Sequence, residues 1–83
     1  MLRLSQHAKL RCKSYFVEEI EIADAISRFE IPNCDCAVLI KERREASGKS
    51  KLFAIIRGGT MTTIEDYHRV PRPERFGVKC LVM

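Results

Sequence analysis

His7 and Arg11 stand four positions apart in a stretch with helical character, which places both side chains on one face, a turn apart. A histidine titrates near neutrality and can take or give a proton, while a guanidinium can hold a phosphate through two parallel hydrogen bonds. Arg57, at the end of an apolar run, adds a second cation, and Thr63 can bond a phosphate oxygen or orient His7. Metal-free RNA cleavage needs a base for the 2′-OH proton, an acid for the leaving 5′-oxygen and cations for the phosphorane charge. His7, Arg11, Arg57 and Thr63 supply those types and are the candidate catalytic residues. Tyr67, His68 and Arg69 add a hydroxyl, a second titrating ring and a further cation. Plainer roles stand beside these: His7 as a polar surface group, Arg11 as a partner of Glu18 or Glu19, Thr63 as ordinary strand composition.

The net charge is +4 and the isoelectric point about 9.1, with 15 basic against 11 acidic residues. The distribution is uneven: residues 1–17 carry cations and no acid, residues 18–40 are acidic, and residues 41–51 are basic again. Lys9, Lys41, Arg43, Arg44, Lys49, Lys51 and Arg69, gathered on one face, would attract a polyanion such as RNA; scattered, they are a solvated surface. The four cysteines Cys12, Cys34, Cys36 and Cys80 would suggest two bridges in a secreted mini-protein. The segment from Met1 to His7 lacks the apolar core of a secretory signal, so reduced thiols and a cytoplasmic location are expected. Cys34-Asp35-Cys36 with His7 or His68 departs from zinc spacing, so neither a metal nor a cofactor is expected.

Eighty-three residues are enough for one domain, 1–83, and not for two cores. A chain of this size buries only roughly 60–65% of its unfolded surface, so a homodimer or a bound partner would be a natural source of added stability. The longest apolar runs, Cys36 to Ile40 and Leu52 to Ile56, fall far short of a membrane span, which needs about 20 residues. Ser5 is placed to cap a helix over 6–14. Ile22, Ala25, Ile26 and Phe29 form the stripe of a second helix over 18–29, with Glu18, Glu19 and Glu21 at its positive end and Pro32-Asn33 closing it. Strands are predicted at 36–42, 51–57 and 60–67, the last two joined at Gly58-Gly59 by a type I′ turn, with a polar loop from Arg43 to Ser50. A short edge strand at 78–82 is the optional fourth. The fold class is therefore α+β: two N-terminal helices on a three- to four-stranded antiparallel sheet.

Leu4 to Lys13, continued through Val17-Glu18-Glu19 to Ile22 and Ala25-Ile26, resembles a small bacterial domain family of unknown function. Its signature runs S-x-H-A-x-x-R-(M/C)-x-x-R-G-I-x-x-E-x-(V/I)-x-x-A-(L/I). The segment Ala54 to Ile64 resembles that family's terminal hairpin, and together the two cover about half of the chain. Tyr15-Phe16 stand where the family has Arg-Gly, and the tail after Arg69 exceeds its common length. The resemblance implies the fold of the RelE-like and ParE-like toxins, BrnT-like in type, whose members cut RNA or inhibit growth until bound by an antitoxin. Three functions stay open on the sequence: a metal-independent endoribonuclease toxin or relative, a non-catalytic RNA-binding module, and a protein-binding regulator or inhibitor of a phage or mobile element.

Overall fold

Ser5 fastens the first helix to the sheet. In the computed structural model, which describes residues 2–46 and 48–83, its hydroxyl accepts from the Ala8 N–H at 3.0 Å and donates to the Thr62 carbonyl at 2.9 Å. Helix α1 (Gln6–Ser14) thereby starts against strand β4 (Thr60–Tyr67), with Ala8 and Cys12, one turn apart, buried beneath it. Two residues before the cap, Arg3–Leu4 form a short strand β1 that pairs in parallel with β4, a strand too brief to leave a pattern in the sequence.

The turn out of α1 is closed by two bonds, from the Val17 N–H to the Cys12 carbonyl at 2.8 Å and from the Phe16 N–H to the Lys13 carbonyl at 3.3 Å. These are the bonds of a Schellman motif, whose penultimate position is left-handed and ordinarily glycine. Here that position is Phe16, at φ 55° and 84% exposed. A Cβ in this conformation costs about 1 kcal/mol or more. Phe16→Gly should accordingly raise stability by about 1 kcal/mol and the melting temperature by roughly 4–8 °C. Thermal unfolding checks this, and an unchanged or lowered midpoint would show that Phe16 makes compensating contacts.

Helix α2 (Glu19–Arg28) begins with the Glu21 carboxylate accepting from the Glu18 N–H at 3.2 Å. Ile22 and Ala25 are buried, and Ile26 and Phe29 are partly buried against the same core, as the stripe predicts. Phe29 already has extended backbone, so the helix ends ahead of Pro32.

Strands β2 (Cys36–Glu45) and β3 (Gly48–Arg57) form a long antiparallel hairpin. The eight-residue polar loop expected from Arg43 to Ser50 is therefore corrected, since Arg43 to Glu45 and Gly48 to Ser50 are paired strand; Ser47 lies outside the described residues. The sheet order is β1-β4-β3-β2-β5, where β5 (Cys80–Val82) pairs in parallel with β2. Both edges being parallel, the sheet is mixed and five-stranded, correcting the three- to four-stranded antiparallel expectation. Gly58 and Gly59, at φ 55° and 76°, make the expected two-residue turn between β3 and β4.

The helices cover one face of the sheet over Cys36, Val38, Ile40, Leu52, Ala54, Ile56, Met61 and Ile64. The other face is partly covered by a 3-10 turn, Pro73–Phe76, whose Phe76 packs on Phe53 with ring centroids 5.6 Å apart and edge-on to Tyr67 at 5.0 Å. A bulge beside Ile40 changes which side of the sheet β2 presents: Cys36, Val38 and Ile40 face the helices, and beyond it so do Lys41, Arg43 and Glu45. Among the described residues no helix is long and apolar enough to cross a membrane.

Candidate functional site

On the helix side a row of polar groups runs off α1. The Arg11 Nε–H donates to His7 Nε2 at 3.4 Å and its Nη1 to the Tyr15 hydroxyl at 3.3 Å. Arg43 lies over the Tyr15 ring at 5.4 Å, donates to the Tyr15 carbonyl, and pairs with both Glu45 and Asp66 at 3.0 Å. His7 and Arg11 thus do share a face, but the acceptor nitrogen of His7 is already engaged by the arginine beside it. The neutral ring then carries its proton on Nδ1.

Arg57 and Thr63 lie on the other face. Thr63 is the register partner of Ile55, whose side chain belongs to the helix-free cluster, and it lines a cleft of about 230 Å³ with Arg57, Glu65, Tyr67 and Arg75. The Arg57 guanidinium donates to the Gly77 carbonyl at 2.8 Å and to the Phe76 carbonyl, so it holds the end of the 3-10 turn. The four candidate catalytic residues therefore form two pairs on opposite faces of the sheet rather than one site.

The basic residues also divide. Lys41 is held by Glu21 at 2.6 Å, and that hydrogen bond is the main reason the Glu21 carboxyl lies below its ordinary range. Arg43 is engaged as described. Lys9 is exposed on α1, Arg44 and Lys49 are exposed and face one another across the hairpin, and Lys51 pairs in register with Glu42 and Tyr67. None of Lys9, Arg44, Lys49, Lys51 and Arg69 has an ion-pair partner among the described residues.

Around the end of β4 lies an open groove of about 660 Å³ lined by Tyr67, His68, Arg69, Arg72 and Arg75. The His68 Nδ1 is 3.2 Å from the Lys49 carbonyl, which can only accept. Nδ1 therefore carries the proton, and in the neutral ring Nε2 keeps its lone pair free to act as a base. Arg72 and Arg75, absent from the sequence-derived set, are the residues it missed; their signal was the three-residue spacing Arg69, Arg72, Arg75 through a proline-punctuated segment. Among the described residues no group of three or more His, Cys, Asp or Glu side chains is arranged to hold a metal ion.

No family model matches the chain, and neither does any curated protein or solved structure.

Proposed function

We propose that this is an RNA-acting protein of RelE-like fold, a metal-independent endoribonuclease toxin or a relative of one in a toxin-antitoxin or mobile-element system. The observation that carries the reading is the orientation of His68: its Nδ1 is fixed on the Lys49 carbonyl, its Nε2 is left as an acceptor, and three arginines line the same groove. In this reading His68 removes the 2′-OH proton, Arg69, Arg72 and Arg75 bind the scissile phosphate and offset the charge that builds on it, and Tyr67 carries the hydroxyl that can return a proton. Two helices ahead of an antiparallel hairpin pair agree with the resemblance, as does the left-handed Phe16 where the family has glycine.

Induced expression in a bacterial host, following growth and total RNA integrity for the parent, His68→Ala and His7→Ala, tests it. Growth arrest and RNA breakdown with the parent and His7→Ala, but not with His68→Ala, is the expected result. Loss only with His7→Ala would move the chemistry to α1, and a harmless parent with intact RNA would end the toxin reading. The electrostatic part is separable. RNA affinity should fall steeply with salt, and Arg72→Ala or Arg75→Ala should each flatten the log–log slope by about 0.7; a slope unchanged in both variants would place the RNA elsewhere.

A second reading, a protein-binding module, is favoured by one observation: Leu10 and Ile20 on the two helices and Phe16 in the turn between them are large apolar residues 60%, 72% and 84% exposed. The surroundings suit a second copy of the chain. Lys9, Arg11 and Lys13 of α1 have no acids on their own helix, and Glu18 and Glu19 open α2, so a second copy would carry the opposite charge for each set. Sedimentation of the parent and of a Phe16→Ser, Ile20→Ser double variant decides it, a monomeric parent at high concentration being the contrary outcome.

A further inference from the structure

Cys34 and Cys80, 46 positions apart in sequence, come together at the edge of the sheet with their sulfurs 3.8 Å apart. Cys34 is exposed, in the segment leading into β2, and Cys80 is the first residue of β5, half-buried. The backbone already clamps the two segments: the Lys79 N–H donates to the Asp35 carbonyl at 3.0 Å, and Cys80 pairs in register with Cys36. Asp35 is itself anchored by the Gly58 N–H, which donates to its Oδ1 at 3.1 Å. The two thiols thus sit in sulfur contact on a framework that holds them there, and bond formation needs an approach to about 2.05 Å. Cys34 also lines an open cleft of about 410 Å³ with Ile31, Asn33 and Gly58, which leaves room for a small molecule at its sulfur.

We propose that Cys34 and Cys80 are a reversible dithiol–disulfide site oxidised by exchange with a low-molecular-weight disulfide. The Cys34 thiolate attacks one sulfur of RS–SR, forming Cys34–S–SR and releasing RS⁻, which takes up the proton that Cys34 gave to solvent. The Cys80 thiolate then attacks the Cys34 sulfur, forms the Cys34–Cys80 bond and expels the second RS⁻, again protonated to RSH. Two electrons pass from the protein thiols to RS–SR, and two RSH leave. Exposure assigns the first step to Cys34. Burial raises the Cys80 thiol above its ordinary range, which suits a resolving group that acts only when a neighbouring sulfur is already oxidised. Cys36 is buried beside them, and burial foremost, then the neighbouring Cys80 and Cys34, push its thiol up to about 11, which keeps it out of the exchange.

The bridge would tie the three-residue edge strand β5 to the segment before β2 and close a long loop in the unfolded chain, which stabilises the folded state. The site stands independently of the RNA reading. The full chain, incubated with glutathione disulfide and then mapped by mass spectrometry without reduction, gives the test. The expected product has lost two hydrogens, yields a Cys34–Cys80 cross-linked peptide, melts about 10 °C or more higher than the reduced chain, and reverts with dithiothreitol. Cys80→Ser should stop at one glutathionyl group on Cys34, and Cys34→Ser should take none and form no bridge. A parent that stays glutathionylated at Cys34, or one that bridges Cys34 or Cys80 to Cys36 instead, overturns the proposal.

Discussion

His68→Ala should slow RNA cleavage by the purified protein by about 10²–10⁴-fold, the usual worth of a positioned general base. His68 is exposed, and its one described hydrogen bond is the one to the Lys49 carbonyl, so its removal leaves the core untouched and the folded fraction should match the parent. RNA affinity should change by less than about 2-fold, because the cations that meet the phosphates are still present. That combination, lost rate with kept binding, separates a group acting on the 2′-OH proton from one that only contacts the backbone. An oligonucleotide with 2′-deoxyribose at the scissile position should bind the parent and remain whole. If His68→Ala cleaves at the parental rate, Nε2 is not the base, and the bond that His68 Nδ1 donates to the Lys49 carbonyl is a structural detail only.

How far the sequence discloses this arrangement depends on whether a residue's position is set by its neighbours in the chain or by its partners across the sheet. Ser5 capping α1, the stripe of α2, and the Gly58-Gly59 turn into Thr60–Tyr67 are local, and each is legible. Strand β1 is two residues long and exists because β4 offers it a parallel edge, which no period in Arg3-Leu4 announces. Arg43 to Ser50 reads as a loop because its composition is polar, yet Arg43 to Glu45 and Gly48 to Ser50 are strand: the bulge beside Ile40 redirects Arg43 and Glu45 to the side where Ser50 and Asp66 meet them. The candidate site fails in the same way. Spacing correctly joins His7 to Arg11, and nothing local could reveal that Thr63 alternates to the opposite face or that Arg57 would be drawn to the carbonyls of Phe76 and Gly77. The groove around His68 is likewise assembled by the return of the tail over β3 and β4, a tertiary event.

Arg43→Ala should destabilise the protein by about 2–3 kcal/mol, a large part of the on-the-order-of-5 kcal/mol available to a domain of this size. The side chain is 25% exposed and joins the end of α1 to two strands: the Tyr15 carbonyl and ring, Glu45 on its own strand, and Asp66, 20% exposed, on β4. Without the guanidinium, Glu45 and Asp66 face each other across a half-buried space with Ser50, fully buried, as the remaining donor. Two uncompensated carboxylates there repel and are poorly hydrated, which is why removing one partner costs more than the ion pair contributes. The figure is set below the 3–5 kcal/mol typical of fully buried pairs, since both ends retain some water. The network is also imperfect, Arg43 Nε and Asp66 Oδ1 being buried without a partner among the described residues. From this a second result follows. In the triple variant Arg43→Met, Glu45→Gln, Asp66→Asn, where no charge is left uncompensated, chemical denaturation should recover at least about half of the lost stability. A triple variant as unstable as Arg43→Ala would instead locate the loss in the packing of the guanidinium on Tyr15, and Tyr15→Leu should then reproduce it alone.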